Sequence, residues 1–529
     1  MSLSISALVP AALVGLGAVS LLPGRRATGP WSNSFRGRAG FGGAGGPVGA
    51  GAGQALLSLL GRAPDKAPRP GSDTAHWARR RDLAQLAVRS VQRGRVVVGR
   101  AWRGSSRGMA SPLRLQGPLL AAERGHSVLV VGPTQSGKTS GLAVPAVLEW
   151  EGPVVAASVK ADLLRDTRTW RQSQGPVWVF DPTRSIGPET ARWSPLDASL
   201  EWRGARRVAR ALADVARSSS TALADGEFWY ALAAKLLAPL LRAAALGGLA
   251  VADVVRWVDE QVMTEPLAIL ESCEEADAVR ALAASMSRED RVRSSVFTTA
   301  ESVMAAFEDP LVAEACNTSS GTTEIFDAGR LLDTGGTLYL CAPAHDQARL
   351  RPLFATLVGE VLERAYGRAT REGAPLDPPL LVLLDEAANI APLAALDELA
   401  STASGHGVQL VTVWQDLAQL QARYKERSGS IVNNHRAKVF LAGIADTGTL
   451  EHASILAGET EHSLRSTTSD RSGAVSTSDA TTLRRLLPAD ALRRLPPGNG
   501  LLVYGHLPPV RTRLRPWFDD PGLRERARS

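Results

Sequence analysis

Short, uninterrupted apolar runs recur along this chain and are separated by longer segments with apolar residues at helical spacing. The runs predict buried strands at residues 127–131, 153–158, 177–180, 337–341, 380–384, 408–413, 437–442 and 501–504. Strands that alternate with helices are typical of a mostly parallel sheet covered by helices on both faces. The pattern therefore predicts an α/β fold.

One long stretch interrupts this alternation. From residue 200 to about 327, alanine, leucine and arginine dominate with helical spacing, as in RRVARALADVARSS and FWYALAAKLLAPLLRAAAL, and strand signals nearly vanish. We therefore predict an all-helical insert at 200–327 within the α/β domain. The first part of that domain, with a basic lead-in, then covers 74–199, and the second part covers 328–529.

The N-terminus carries the longest apolar run. Residues 4–22 form a 19-residue uncharged stretch, which as a helix is about 28 Å long and can span a bilayer. We predict a transmembrane helix at 1–24. The alternative is a cleaved signal peptide, which usually has positive charge before its apolar run, whereas here the arginines follow it. That asymmetry, from Arg25, Arg26, Arg36 and Arg38, places the body of the protein on the cytoplasmic side of the membrane.

Residues 25–73 are predicted to be a linker rich in glycine, proline and arginine. Within it, the uncharged stretch 39–61 holds nine glycines, so a flexible linker is favoured over a second membrane segment. Residues 74–107 then carry nine arginines against a single acid, Asp82. This basic run is either a solvated helix face or a surface for lipid headgroups or a nucleic-acid backbone, and both interpretations stay open.

Composition narrows the class of protein only modestly. A hydrophobic content of 44% excludes global disorder, and 529 residues are too many for one compact core. The net charge of +7 weakly favours an anionic partner, either nucleic acid or a membrane. Cys273, Cys316 and Cys341 form no CxxC pair, which favours a reducing compartment, and the eight histidines show no metal-ligand spacing.

The strand predicted at 127–131 leads into a glycine loop. The segment GPTQSGKT matches the phosphate-binding pattern GxxxxGK[ST], and a helical pattern follows it. An ordinary glycine turn is the alternative, but the chain has only six lysines, which makes a chance match rare. Lys138 should reach the β- and γ-phosphates of ATP, and Thr139 should bind Mg²⁺. We expect the nucleotide to contact a continuous run of residues, namely Gly132, Pro133, Thr134, Gln135, Ser136, Gly137, Lys138, Thr139 and Ser140.

Two acids and an amide complete the predicted site. The apolar run at 380–384 ends in Asp385 and Glu386, and open α/β sheets bind ligands at the carboxyl ends of their strands. Asp385 is expected to hold the metal and Glu386 to orient and polarise the attacking water, which indicates hydrolysis and not only binding. Gln415 follows the next predicted strand and is either a sensor of the γ-phosphate, which we favour, or a polar strand cap. The predicted catalytic residues are Lys138, Glu386 and Gln415.

These motifs and several longer stretches resemble the TraG/TraD-type coupling proteins of type IV secretion and conjugation, especially their actinobacterial form. The matching stretches lie between about residues 74 and 516 in the family's order: TAHWARRRDLAQL, HSVLVVGPTQSGKT, SVKADLL, ARWSPLDAS, LLVLLDEAANIAPLAALDELAS, GVQLVTVWQDLAQLQARY, HRAKVFLAGIAD and LRRLLPADALRRLPPGNGLLVYG. The resemblance implies a membrane-anchored, RecA-like P-loop ATPase with an all-helical insert, usually a homo-hexamer. It also implies a motor that recruits a relaxase–DNA complex and feeds the DNA, expected to be single-stranded, to the components of a secretion channel.

The chain departs from this family at three places. Relatives often have Asp-x-Lys-Gly-Glu after the second strand, whereas this chain has SVKAD at 158–162. Many relatives carry an arginine before the sensor strand that reaches a neighbouring subunit's nucleotide, and the segment SGHG at 404–407 has none. Either hydrolysis is slow or another residue substitutes, such as Arg436 or Arg423. Relatives commonly have two spanning helices, and only one is convincing here.

Two other functions remain open. An FtsK-like pump for double-stranded DNA would use the same motor, but nothing after Tyr504 resembles that family's separate DNA-reading domain. A nucleotide-binding cargo receptor or scaffold with little ATPase activity would explain the missing arginine. The Ser/Thr-rich stretch 463–482 is either a disordered loop or part of the channel face.

Overall fold

The computed structural model describes residues 74–102, 116–159, 161–219, 226–318, 324–469 and 475–529. The predicted transmembrane helix at 1–24, the predicted linker at 25–73 with its segment 39–61, and Lys160 all lie outside the described residues. Within the described ranges, one helix, Gly226–Leu246, is long and apolar enough to cross a membrane, but 72% of its apolar window is buried inside the protein.

The described residues contain a mixed sheet of twelve strands and a separate hairpin, which consists of β11 and β12. In chain order the strands are β1 Ala87–Val88, β2 Val97–Trp102, β3 Gln116–Ala121, β4 Val128–Val131, β5 Val154–Ser158, β6 Val177–Phe180, β7 Thr337–Cys341, β8 Leu380–Asp385, β9 Val408–Trp414, β10 Ala437–Leu441, β11 Glu459–Ser469, β12 Val475–Arg485, β13 Asn499–Tyr504 and β14 Val510–Arg513. Across the sheet the order is β1-β3-β2-β14-β13-β10-β4-β9-β8-β5-β7-β6.

Seven neighbouring strands, from β10 to β6 in that order, run parallel to one another. This confirms the predicted mostly parallel sheet, and the bounds of every predicted strand agree with an observed strand to within two residues. An antiparallel extension of β13, β14, β2, β3 and β1 continues the sheet beyond β10. The apolar pattern did not predict β1, β2, β3 or β14, because these strands are short or contain glycine, proline and arginine.

Helices pack on both faces of the sheet. In chain order they are α1 Val144–Glu149, α2 Ala161–Gln174, α3 Pro195–Ala198, α4 Trp202–Ser219, α5 Gly226–Leu246, α6 Val251–Asp259, α7 Thr264–Ser272, α8 Ala276–Met286, α9 Asp290–Met304, α10 Pro310–Ala315, α11 Ala328–Thr334, α12 Gln347–Glu372, α13 Leu396–Thr402, α14 Leu417–Tyr424, α15 Ser428–Asn434, α16 Thr447–Ala457, α17 Ala489–Arg493 and α18 Pro521–Arg528. Leu129 and Val131 of β4 belong to one apolar core with α4, α5 and α12. Val128 and Val130 belong to a second core with α1, α2 and α18. Burial on both faces explains why the parallel strands are continuous apolar runs.

Helices α4 to α10 follow one another between β6 and β7, in the stretch predicted to be an all-helical insert. At the centre of the group lies α5, which packs against α4, α6, α7, α8 and α9 and buries most of its leucines and alanines. A helix surrounded by other helices can be apolar on all sides, which accounts for its composition. The division of the chain into domains at 199/200 and 327/328 stays a prediction.

The Ser/Thr-rich stretch at 463–482 lies in the hairpin of β11 and β12. The two strands pair antiparallel from Glu459 opposite Arg485 to Ser469 opposite Val475, and their described side chains are mostly exposed. The described part of this stretch therefore forms paired strands instead of a disordered loop. Its place on a channel face stays a prediction.

A buried arginine joins two loops at the amino-terminal edge of the parallel sheet. Arg171 of α2 is only 1% exposed and donates hydrogen bonds to the Trp150 carbonyl at 2.7 Å, the Gly152 carbonyl at 2.7 Å, the Gly335 carbonyl at 3.1 Å and the Thr337 hydroxyl at 2.7 Å. Burial lowers the pKa of Arg171 to about 10. The guanidinium thus satisfies carbonyls that would otherwise be buried without a donor.

We expect Arg171→Met to lower the free energy of unfolding by about 3 kcal/mol or more, because three carbonyls, which are buried or partly buried, lose their donor. The measurement is the urea midpoint of the purified chain. Arg168→Met is the matched control, since Arg168 is exposed on the same helix, and its effect should stay within about 0.5 kcal/mol. Equal midpoints for the two variants would contradict this account of Arg171.

Candidate active site

The predicted site residues lie at the carboxyl ends of three parallel strands, at one edge of the sheet. Strand β9 lies between β4 and β8, with Val131 opposite Trp414 and Asp385 opposite Val413. The glycine loop after β4, the two acids at the end of β8 and Gln415 after β9 are therefore neighbours. The backbone N–H of Gly132 donates to the Trp414 carbonyl at 3.1 Å, which ties the loop to the end of β9.

The glycines of the loop stand where other residues would not fit. A Cβ at Gly132 would lie 2.9 Å from both the Leu441 Cβ and the Ser136 Oγ. Gly137 has φ +86°, in the left-handed region that glycine adopts without strain. The chain after the loop enters a π-helical turn at Thr139–Ala143 and continues as α1. The loop thus wraps tightly at the amino-terminal end of a helix, which is the geometry that binds phosphate.

Two side chains of the loop suit an anionic ligand. The Lys138 ammonium is buried and donates to the Gly132 and Pro133 carbonyls, at 2.6 Å each. The Ser136 hydroxyl is buried and has no hydrogen-bond partner among the described residues. A buried hydroxyl without a partner is uncommon and is expected where a ligand completes the bonding. The loop therefore fits the triphosphate that the sequence predicted.

A hydroxyl and a carboxylate form the predicted metal site. Thr139 Oγ1 donates to Asp385 Oδ2 at 2.9 Å, and Ser158 Oγ donates to the same oxygen at 3.3 Å. Burial raises the pKa of Asp385, and the hydrogen bond from Thr139 opposes that shift. Ser158 ends β5 opposite Asp385, at the position where relatives often have aspartate. Because this chain has Ser158 at that position, β5 contributes a hydroxyl there, and the buried carboxylate at the ends of these two strands comes from Asp385 of β8.

Glu386 is held in a strained backbone conformation beside the cavity. Its φ is +71°, which costs energy for a residue with a Cβ and persists only where the surroundings enforce it. Asn389 Nδ2 donates to Glu386 Oε2 at 3.3 Å. Arg351 Nε in turn donates to the Asn389 carbonyl at 3.0 Å, and Arg423 donates to the Ala388 carbonyl at 3.1 Å. Two arginines thus support the loop that carries Glu386.

Asn389 and Arg351 were not predicted from the sequence. Asn389 lies three positions after Glu386 within the DEAAN segment, and this short spacing could have indicated that the two side chains are in contact. Arg351 comes from α12, and no local pattern connects it with β8. Burial, together with Arg423, lowers the pKa of Arg351 to about 10.

Gln415 lies at the expected edge but not on the cavity itself. A cavity of about 310 Å³ is lined by Asp385 and Glu386, by Asp162, Arg165 and Asp166 of α2, and by six residues of the predicted loop run, namely Thr134, Gln135, Gly137, Lys138, Thr139 and Ser140. Gly132, Pro133 and Ser136 of that run are absent from the described residues that line the cavity. Gln415 is absent from the described residues that line it. Its backbone N–H donates to Gln419 Oε1 at 3.2 Å. The role of Gln415 as a sensor stays a prediction.

The C-terminal segment 514–518 covers the start of the loop helix, which the sequence did not reveal. Trp517 and Phe518 line the same cavity, and the Trp517 N–H donates to the Ser140 carbonyl at 3.0 Å. The two rings meet edge to face, with centroids 5.8 Å apart, and Phe518 is 50% exposed. Only 5% of the residues in the chain are aromatic, so two adjacent aromatic residues near the C-terminus were the sequence feature that could have pointed to this segment.

A buried ion pair anchors this segment. Arg515 donates to Glu149 of α1 at 2.8 Å and to Asp520 at 2.9 Å, and Arg515 and Glu149 are both nearly inaccessible to solvent. Gly141 lies beneath the segment, where a Cβ would approach the Leu514 Cβ to 2.8 Å. The aromatic pair is therefore held at a fixed place over the loop.

The two proposed substitutes for the missing arginine lie at different edges of the sheet. Arg423 contacts the loop after Glu386 in its own chain. Arg436 is exposed and precedes β10, so it lies at the edge opposite the glycine loop. The segment at 404–407 turns sharply, with His406 stacked on Tyr366 at a centroid distance of 4.0 Å.

Comparison with known proteins decides the family. The profile of the family described as "Type IV secretory system Conjugative DNA transfer" matches residues 76–529. The chain belongs to this family. The resemblance to conjugative coupling proteins inferred from the motifs is thereby confirmed.

Curated relatives within this range agree. The chain is 26% identical over 425 residues to the conjugal transfer protein TraG of Escherichia coli, an alignment that covers 73% of this chain and 64% of TraG. It is 26% identical over 428 residues to the protein VirD4 of Agrobacterium fabrum, with 77% of this chain and 60% of VirD4 covered. The chain thus spans less than two thirds of the length of these relatives.

Solved structures of a conjugative coupling protein share the fold. The bacterial conjugative coupling protein TrwBdeltaN70, in an unbound form, matches with a TM-score of 0.58 at 19% identity, over 82% of this chain and 96% of that chain. The plasmid coupling protein TrwB in complex with ADP and Mg²⁺ matches with a TM-score of 0.57 at 20% identity, over 81% and 96% of the two chains. The RecA-like P-loop fold predicted from the sequence is confirmed.

Phe518 lines the cavity with its ring half exposed, so we expect the base of ATP to stack on it and Phe518→Ala to raise the dissociation constant for ATP about tenfold. The measurement is a fluorescence titration of the purified chain with a labelled ATP, repeated by competition with inorganic triphosphate. Triphosphate affinity should not change, because that ligand has no base. Phe228→Ala is the control, since Phe228 is an exposed phenylalanine on α5. Equal losses for ATP and triphosphate would contradict the role of Phe518 as a base platform.

Proposed function

We propose that this protein is a membrane-anchored, ATP-driven DNA translocase that recruits a relaxase–DNA substrate and delivers it to a type IV secretion or conjugation channel. The observation that carries the proposal is the 2.9 Å hydrogen bond between Thr139 and Asp385, formed in a chain whose family is that of conjugative DNA transfer. The family supplies the substrate class, and the contact brings together the two side chains expected to hold the metal of a bound nucleoside triphosphate.

The glycine loop and its lysine bind the triphosphate. The backbone N–H groups of the loop and the Lys138 ammonium surround the phosphates, and Ser136 gains the hydrogen-bond partner that it lacks among the described residues. The Thr139 hydroxyl and the Asp385 carboxylate are the groups that would hold Mg²⁺. When bound, Mg²⁺ neutralises charge on the phosphates and polarises them toward attack. The related TrwB has been solved with ADP and Mg²⁺.

Glu386 orients and polarises the attacking water. Its carboxylate lines the cavity, and Asn389 holds one of its oxygens. Arg351 positions Asn389 and acts through it, so it is a positioning residue. Gln415 is proposed to report the loss of the γ-phosphate through β9, whose end is already bonded to the loop at Gly132.

The working protein is proposed to be a homo-hexamer with a nucleotide between neighbouring subunits. Arg436 is the better candidate for an arginine that reaches a neighbour, because it is exposed and Arg423 is already bonded within its own subunit. ATP hydrolysis then moves the DNA, proposed to be single-stranded, toward the components of the secretion channel.

Localisation at the cell membrane follows from the predicted helix at 1–24. The chain is proposed to cross once, or twice if 39–61 also spans, with the ATPase domain in the cytoplasm. The arginines that follow the apolar run support this orientation.

We expect Glu386→Gln to lower ATPase turnover about 100-fold or more, because the amide cannot polarise the water, while ATP binding is retained. Turnover and binding are measured on the purified full chain, and conjugative transfer is measured in cells. Glu398→Gln is the matched control, since Glu398 is exposed on α13. Intact transfer with Glu386→Gln would contradict the motor and support a nucleotide-binding scaffold.

We expect single-stranded DNA to stimulate ATPase turnover more than duplex DNA of equal nucleotide concentration. The stimulation should weaken as salt is raised, because contacts to the phosphate backbone are screened. Turnover with circular single strands and with linear duplex is the comparison. A larger effect of duplex would favour a double-stranded DNA pump, and no effect of either would contradict the DNA translocase.

A further inference from the structure

A basic groove lies on the helical group between β6 and β7, far along the chain from the glycine loop. Helices α4 and α5 and the end of α8 frame a cavity of about 740 Å³. Its floor consists of methyl groups, because five of the residues that line it are alanines, namely Ala231, Ala234, Ala238, Ala281 and Ala284. Small side chains on helices allow another backbone to approach closely.

The rim of this basic groove is strongly cationic. Six positively charged side chains line it, namely Arg203, Arg206, Arg207, Arg210, Lys235 and Arg288. The four arginines of α4 have the spacing i, i+3, i+4 and i+7, so they form one stripe along the helix. No carboxylate residue is among the described residues that line the cavity.

Among the described residues, most of this charge has no carboxylate partner. Arg207 pairs with Glu363 of α12, and Arg210 pairs with Asp214 at 2.9 Å. For Arg203, Arg206 and Lys235, the described part of the chain supplies no carboxylate within ion-pair distance. Arg288 Nε is buried without a hydrogen-bond partner among the described residues. A buried guanidinium nitrogen without an acceptor is costly, which points to an anionic ligand.

The apolar floor and the cationic rim together indicate which kind of ligand fits the basic groove. A nucleic-acid backbone would match the charges but would leave the methyl floor without an apolar partner. A helical peptide with acidic side chains on one face and small aliphatic ones on another would meet both surfaces. Binding would then bury apolar area at the floor and pair carboxylates with the arginine stripe.

We propose that the basic groove of α4, α5 and α8 binds an acidic, amphipathic helical peptide segment of a partner protein. This inference goes beyond the proposed function, because it concerns a surface that contains no part of the nucleotide site. Binding should need neither ATP nor DNA, so its test does not depend on whether the chain is a motor.

The test is fluorescence anisotropy of a labelled 16-residue peptide of glutamate, alanine and leucine at helical spacing, titrated with the purified full chain without nucleotide. We expect saturable binding that weakens as salt is raised. Arg203→Glu combined with Arg206→Glu should raise the dissociation constant about tenfold or more, since two attractive charges become repulsive. Absence of saturable binding to the unmodified chain would overturn the proposal.

The matched control is Arg217→Glu combined with Arg291→Glu, which makes the same change in net charge at exposed arginines of α4 and α9 outside the groove. This control should leave the dissociation constant within about twofold of the unmodified chain, because exposed charges away from a site contribute little. Equal losses for the two double variants would overturn the proposal, because the effect would be one of overall charge.

A second variant tests the floor without changing charge. Ala284 is exposed, so Ala284→Trp should fold, fill the groove and weaken peptide binding about tenfold, as expected when a bulky ring occupies the space of a ligand. A polyglutamate peptide and a 15-nucleotide oligothymidylate, which have the charge but not the aliphatic side chains, should compete poorly. Competition by the oligothymidylate as strong as that of the peptide would overturn the proposal in favour of nucleic acid.

Discussion

The hydrogen bond from the Thr139 hydroxyl to the Asp385 carboxylate joins the start of the helix after the glycine loop to the end of β8, 246 positions apart in the chain. It forms because β9 separates β4 from β8 and all three strands run parallel, which brings their carboxyl ends to one edge. The sheet is buried on both faces, so it holds these ends rigidly. Because Lys138 precedes Thr139 and Glu386 follows Asp385, the same contact brings the ammonium of Lys138 and the carboxylate of Glu386 to one cavity.

Several groups at that edge of the sheet are in environments or conformations that cost folding free energy. Asp385 is a buried carboxyl with a raised pKa, Glu386 has a left-handed backbone, and the Ser136 hydroxyl has no partner among the described residues. Such local free-energy costs persist only where the surrounding packed structure enforces them, and they are found most often at functional sites. The support here comes from Arg351 and Asn389, which hold the loop behind Glu386. The site is thus preorganised by residues that do not face the cavity.

Two further parts of the molecule provide surfaces beyond this edge of the sheet, namely the C-terminal segment 514–518 and the helices between β6 and β7. The antiparallel extension returns β14 to the sheet, so that the C-terminal segment 514–518 lies on the glycine-loop helix and places Phe518 over the cavity. The helices between β6 and β7 instead present a cationic groove of their own. The candidate nucleotide site and the proposed peptide groove therefore lie on different elements, joined by the shared apolar core that contains α4, α5 and α12.

The sequence by itself determined the parallel strands, the glycine loop and the acids Asp385 and Glu386, because each depends on a run of neighbouring residues with its own physical signature. It also determined the family, since those runs occur in a characteristic order. Only the tertiary structure decided that Arg351, Phe518 and Ser158 belong to the same site, because contacts between distant segments leave no local periodicity. The same holds for the basic groove, where an arginine stripe on α4 has the pattern of a solvated face until α5 and α8 close around it.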